Sequence, residues 1–305
     1  MLDAIGHVLS FSFYEGLVFG LIATGMYLSF KILNFPDLGV EGAFPMGGAV
    51  VATLIVNGVD PFLATIAALG VGLLVGLATA SLNTRLRVPA LLCGIILIVA
   101  CWSINLRIMD GANVSLLREV TIFDKVAGFL GRSGGSIEVA IIVGLMIAAI
   151  VFFVLNWFLR TEIGLALRAT GDNEKMVRSL GSDVEKNIVI GLCIGNGLCG
   201  LAGAVVAQGQ GFGDVGMGIG VLIMGLASII IGDALLRPRG VATMLVAAFT
   251  GAFFYRLFIT VALRMGMEPG DLKLITGVLV IVALAIPFIR MKLRREWVPP
   301  ASRLF

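Results

Sequence analysis

Long apolar runs separated by short polar punctuation dominate this chain. A helix needs about 20 mostly apolar residues to cross a hydrocarbon core of ~30 Å. Nine runs qualify as candidates: 12–31, 42–57, 61–82, 89–108, 137–159, 184–207, 217–233, 239–261 and 272–289. The pattern predicts an all-α fold, a polytopic helical bundle of about nine spans forming one transmembrane domain over residues 1–305. Several runs begin with helix-start chemistry. Asp60-Pro61 and Val88-Pro89 place proline at a first helical position, where its missing N–H is no loss. Ser182-Asp-Val-Glu185 reads as a capping box, and Asp271 can cap the last run after Pro269-Gly270.

Composition strengthens this picture. The 305 residues are 59% hydrophobic and 13% charged, with a mean hydropathy of +1.05. A soluble domain carries roughly 25% charged residues, so lipid is the expected solvent. Forty glycines agree with that, because small residues let helices approach closely where water does not drive association. Cys93, Cys101, Cys193 and Cys199 lie in apolar runs without a Cys-x-x-Cys pair, and His7 is remote from them. They read as small buried hydrophobes, so neither a metal site nor a disulfide framework is expected. The opening segment lacks a basic n-region and carries Asp3 and Glu15, so the first run is expected to be retained as a span. With no long hydrophilic stretch, no His-Glu cluster and no Gly-x-Ser-x-Gly elbow, an enzyme is not expected.

Basic residues suggest an orientation. If the tail bearing Arg290, Lys292, Arg294 and Arg295 is cytoplasmic, alternation puts Lys31, Arg85, Arg87, Arg237, Arg239 and the 160–186 loop on the same side. Fifteen of the 22 lysines and arginines then face the cytoplasm, as the positive-inside rule requires, and the N-terminus is external. Segment 109–136 becomes an external loop. Within it, SLLREVTIFDKVAGFL has apolar residues at helical spacing, which fits either an interfacial amphipathic helix or a docking face for an extracellular binding protein.

The longest expected cytoplasmic loop, 160–184, reads as two short helices. The first ends at Gly171; Asp172 caps a second, DNEKMVRSL, which stops at Gly181. Glu174 near its start and Arg178 near its end complement the helix dipole. Such a loop is either a well-capped connector or a rigid element able to carry force into the membrane.

The loop and the Gly/Ala-rich run after it resemble the ABC permease superfamily that imports branched-chain amino acids and ribose. The likeness is carried by Thr161, Gly164, Arg168 and Ala169, then by Gly200, Ala202, Gly203 and Ala204. It implies that residues 163–181 form a coupling helix seated in an ATPase subunit, with Gly171, Asp172, Glu174, Arg178 and Gly181 among the coupling residues. A second stretch, SFKILNFPDLGVEGAFPMGGAVVA over 29–52, is similar to a single-permease branch that includes aromatic amino acid (tryptophan/tyrosine) uptake systems. The usual pattern there is closer to DLTVDGSFPLG. Here Gly39, Glu41 and Ala43 replace its threonine, aspartate and serine, so the ligand or its path can differ.

Two segments share the form Phe-x-Asp-aliphatic-Gly-aliphatic: Phe35 to Val40 and Phe212 to Met217. Each precedes a short, interrupted apolar run. Gly42 to Asn57 would rise only about 24 Å as helix, and Pro45, Gly47 and Gly48 weaken its start. Residues 217–233 contain Gly218, Gly220, Gly225 and Gly232. Paired broken segments point to discontinuous helices at a transport site, since irregular backbone at membrane depth survives only where protein or a water-filled cavity satisfies it. An inverted repeat, with Asp37 and Asp214 as equivalent caps, is one reading; chance similarity in glycine-rich sequence is the other.

Asn34, Phe35, Asp37, Glu41 and Phe44 at the first break, and Phe212 and Asp214 at the second, are candidates for a translocation path. Asn105, Asn196 and Gln208 join them as neutral groups that either bond another helix or meet a passing ligand. Glu15 and Arg256 fall near the outer ends of their spans, where snorkelling suffices. No carboxylate or histidine is expected near the midplane, which argues against an ion-coupled carrier.

The function expected is therefore that of the transmembrane permease of an ATP-driven bacterial importer for a small solute, in the inner membrane. The alternative is a stand-alone secondary transporter or channel. The resemblance implies a cytoplasmic ABC ATPase dimer, a second permease copy in a homodimer and an extracytoplasmic substrate-binding protein, with the bilayer as surroundings and no nucleic acid. It implies no cofactor in this chain, ATP being bound by the ATPase.

Overall fold

A computed structural model describes residues 2–132 and 135–267, together with 271, 274, 276–278 and 281. Helices dominate: α1 Leu2–Met26, continued by a π-helical segment Tyr27–Ile32, then α2 Val40–Val56, α3 Pro61–Thr84 and α4 Ala90–Met109. After these come α5 Ile122–Leu130, α6 Ile137–Phe158, α7 Glu162–Asp172 and α8 Glu174–Ser179. The described part closes with α9 Val184–Gln210, a 3₁₀ turn Val215–Gly218, α10 Val221–Leu236 and α11 Val241–Arg264. Among the described residues, seven helical segments are long and apolar enough to cross a membrane, and α2 is a shorter apolar helix. Eight of the nine expected runs thus coincide with helices. The ninth, 272–289, falls almost wholly outside the described residues, as does the basic tail.

The helix ends follow local chemistry, with three adjustments to the sequence reading. Asp60 caps α3 as expected, its carboxylate accepting the Phe62 N–H at 2.9 Å with Pro61 at the first helical position. Pro89, by contrast, is itself the cap of α4, which begins at Ala90. Asp172 is the last residue of α7, and the cap of α8 is Asn173, whose side-chain oxygen accepts the Met176 N–H at 3.0 Å. The start of α9 is likewise capped one residue later than Ser182, by Asp183, which accepts the Lys186 N–H. Gly181 and Gly211, at φ +82° and +79°, adopt the left-handed conformation that ends a helix without a Cβ penalty.

Helix α9 is the hub, and glycine makes it so. α2 and α3 pack along it, with α1 on a further side. A Cβ on Gly203 of α9 would lie 1.9 Å from the Phe44 carbonyl oxygen of α2. The second cluster has the same logic: α1 packs on α11 and α10, and α10 packs on α11. Exchanging α1 with α9, α2 with α10 and α3 with α11 maps these contacts onto one another. Because the Ile32 end of the α1 span and the Val184 end of α9 both meet α7, α1 and α9 run in opposite senses.

One feature departs from the purely helical expectation. Strands β1 Asn113–Ser115 and β2 Phe212–Asp214 pair antiparallel, Asn113 opposite Asp214 and Ser115 opposite Phe212. This ladder ties the loop after α4 to the loop after α9. Beside it, α5 starts with a capping box at Thr121 and Asp124 and buries Ile122, Phe123, Val126 and Ala127. Its apolar side packs on α6 and α9 rather than facing outward, although Phe129 and Leu130 remain exposed.

Candidate functional site

Two breaks in the helices meet inside the bundle. After the π-helical segment the chain turns at Asn34, an exposed residue at φ +54°, and runs inward past Phe35 and Asp37 to α2. Asp37 is fully buried. One of its oxygens accepts the Gly39 N–H at 2.8 Å and the other accepts the Asn196 side-chain amide of α9 at 2.6 Å. At the second break Asp214 accepts the Gly216 N–H at 2.7 Å, so both aspartates fold the same i to i+2 turn. The two breaks are also joined directly. Glu41, in the first turn of α2, accepts the N–H of Gly220 at the start of α10 at 3.2 Å. A carboxylate there also meets the positive end of the α10 dipole.

Between the breaks lies a cavity of about 730 Å³. Of the expected path residues, Glu41, Phe44, Phe212 and Asp214 line it, together with Phe19, Met217, Met224, Tyr255 and Arg256. Asn34, Phe35, Asp37, Asn105, Asn196 and Gln208 do not. Gln208 joins helices instead: its amide donates to Thr65 of α3, and its oxygen accepts the Ile122 N–H of α5. Asn105 is fully buried, and neither of its amide atoms has a hydrogen-bond partner among the described residues.

Arg256 departs from the snorkelling expectation. Its guanidinium lies 3.4 Å from the centre of the Phe19 ring and 3.6 Å from the Glu15 carboxylate, and it forms part of the cavity wall. An arginine and a glutamate in the interior of a chain only 13% charged are a signal the sequence carried, but their pairing across 241 positions of chain is visible only in the fold. Carboxyl groups stand inside the bundle at Glu15 as well as at the expected path residues Asp37, Glu41 and Asp214.

A second locus is α7. Thr161 caps it, accepting the Gly164 N–H, and Gly164 packs on the Phe158 carbonyl. Gly171 sits against the Ile32 carbonyl at the end of the π-helical segment. Asn187 of α9 donates to Thr170 of α7 at 2.9 Å. The π-helical segment is in turn held to α10, where Asp233 takes Tyr27 at 3.1 Å and Lys31 at 3.2 Å. Arg168, Ala169, Asp172, Glu174 and Arg178 are not fully buried, and Arg168, Asp172, Glu174 and Arg178 carry charge on that surface.

The branched-chain amino acid transport system / permease component family matches residues 8–285, nearly the whole chain. The chain belongs to this permease family. Across 281 residues the permease is 37% identical to the tyrosine transport system permease protein of Clostridioides difficile, covering 92% of each chain. It is 30% identical over 275 residues to an uncharacterised protein of Rickettsia prowazekii, covering 89% of this chain and 94% of that one. A D-allose transport system permease protein of Escherichia coli is 31% identical over 226 residues, 72% of this chain and 65% of its own. No solved structure matches the permease. Family and helices together describe a multi-pass membrane transport permease.

Proposed function

We propose that the chain is the permease subunit of an ATP-driven importer, with α7 and α8 as the segment a cytoplasmic ATPase pushes. The carrying observation is how α7 is fastened. Gly171 touches the end of the first span, and Thr170 is bonded to the start of α9, the hub of the bundle. The buried Asp37–Asn196 bond ties the segment that leaves the first span to α9. A displacement of α7 therefore reaches the first helix break through rigid, packed elements rather than a slack loop. In this reading the α7 end of the bundle is cytoplasmic and the β1–β2 end external. Two copies enclose the path, the first and second breaks are members of an inverted repeat, and a binding protein delivers the solute. Similarity to the tyrosine and D-allose permeases supports a small polar solute, and the greater likeness to the former favours an amino acid.

A proton-coupled carrier is the second reading, favoured by the buried Asp37 carboxyl. Purification of the tagged full-length permease from its own membranes, with a photocrosslinker at position 178, separates the two. A nucleotide-hydrolysing subunit crosslinked through α8 supports the importer. A permease that purifies alone and moves solute without ATP supports the carrier.

A further inference from the structure

Beside Gly39, at the first helix break, three side-chain oxygens converge on one point. A Cβ placed on Gly39 would lie 2.9 Å from Asp37 Oδ1, 3.0 Å from Thr79 Oγ1 and 3.5 Å from Asn196 Oδ1. The three come from the break itself, α3 and α9, and all three residues are fully buried. The backbone does not ask for glycine here. Gly39 has φ −58° and ψ −20°, a right-handed conformation open to any residue. What the missing side chain leaves is room between the oxygens.

Each oxygen is presented as an acceptor. Asp37 Oδ1 takes the Gly39 N–H, and the Thr79 hydroxyl spends its proton on the Val75 carbonyl at 3.0 Å. The Asn196 amide nitrogen donates to Asp37 Oδ2 and, at 3.0 Å, to the Leu192 carbonyl, which fixes which way the group points. Its Oδ1 has no hydrogen-bond partner among the described residues, and Asp37 is in no ion pair among them. A buried carboxylate without a counter-charge and a buried oxygen without a donor are both costly.

We infer that Asp37, Thr79 and Asn196 bind a small monovalent cation of the sodium class, which pins the first break to α3 and α9. One positive charge balances the one carboxylate. Calcium would ask for about six to eight oxygens, and magnesium for a near-ideal octahedron. Water brings two donors and no charge. A proton on Asp37 can be given to only one of the other two oxygens, whereas a cation meets all three. An all-oxygen set suits a hard cation, and the ends of interrupted membrane helices are recurrent places for sodium. The inference goes beyond the transport assignment and is independent of which solute crosses and what drives it.

The test is thermal unfolding of the purified full-length permease, with its copurifying partners, in NaCl, KCl or choline chloride at equal concentration. For a Kd of ~1 mM, sodium at about 100 mM should raise the melting temperature by roughly 5 °C over choline, and potassium by less than half of that. Gly39→Ala keeps all three ligands but fills the space between them, and Asp37→Asn removes the charge while keeping the shape. Both should lose the sodium-dependent rise, whatever their melting temperature in choline. Gly70→Ala, where an added Cβ meets nothing within 4 Å, should keep it in full. Should either site variant fail to fold, sodium-23 NMR of the native protein decides: bound sodium broadens the line, and lithium relieves the broadening where choline does not. Equal melting temperatures in the three salts, an equal rise in potassium, or a full sodium rise in folded Gly39→Ala overturns the inference. So does unfolding that responds to pH but not to sodium, which gives Asp37 a proton instead. Each of these results leaves the permease assignment standing.

Discussion

Gly171 of α7 lies against Ile32, so near that a Cβ added to the glycine would sit 1.9 Å from the Ile32 carbonyl oxygen. No side chain fits that gap without moving one of the two elements. The contact joins the exposed α7–α8 loop to a π-helical segment, a geometry found frequently at functional sites. From there the chain passes within five residues to Asp37, whose carboxyl is bonded to α9. Loop, π segment and first break form one continuous mechanical path.

The Asp37–Asn196 bond should behave as a coupled pair. Asn196→Leu removes the amide and leaves a buried carboxyl with only the Gly39 N–H, at an expected cost of about 1–3 kcal/mol. Thermal unfolding in detergent of Asn196→Leu, Asp37→Leu and the double variant measures this. The double variant should lose less than the two single losses added together. Simple additivity would show that the two side chains do not depend on each other.

Glycines in the helices should be intolerant where backbones touch and tolerant where they do not. Gly203→Val drives a side chain into the Phe44 carbonyl, and over-packing of this kind costs typically 1–3 kcal/mol or more. Gly70 of α3 has no atom within 4 Å of an added Cβ, so Gly70→Ala should be neutral or gain up to about 1 kcal/mol of helix propensity. Monodispersity on size exclusion and melting temperature would check both.

The segment bearing α5 has a pH-sensitive tether. The Lys125 ammonium of α5 bonds Asp60 at the cap of α3, and this bond, more than the Phe62 N–H, holds the Asp60 carboxyl below the ordinary carboxylate range. A depressed carboxylate stabilises the fold at neutral pH and loses that contribution as pH falls through its lowered value. Protection of α5 amides against hydrogen exchange, corrected for the intrinsic pH dependence of the exchange rate, should therefore fall on acidification in the native chain. In Lys125→Met that protection should be lower at neutral pH and flatter with pH.

Legibility in the sequence tracked the range of the interactions. Eight runs were readable because crossing lipid demands length and apolarity, and Asp60-Pro61 was readable because a cap acts within one turn. Asp172 and Asn173 are both good caps, so only packing could decide between them, and it chose Asn173. The ladder of Asn113–Ser115 with Phe212–Asp214 left no trace, because three-residue strands are too short to show an alternating pattern. The site was half visible. The broken-helix setting marks Glu41, Phe44, Phe212 and Asp214, which line the cavity, whereas the pairing of Arg256 with Glu15 exists only because α1 and α11 pack side by side. Asp37 and Asn196 stand out only singly in the sequence, because their bond spans 159 positions of chain.

The most direct measurement of the central claim is ATP hydrolysis and solute uptake, followed together in proteoliposomes holding the full importer with Gly171→Leu in the permease. The account predicts continued hydrolysis with uptake reduced at least ten-fold, because α7 no longer seats on Ile32 and its motion stops short of the first break. Uptake at the native rate per ATP hydrolysed would contradict it.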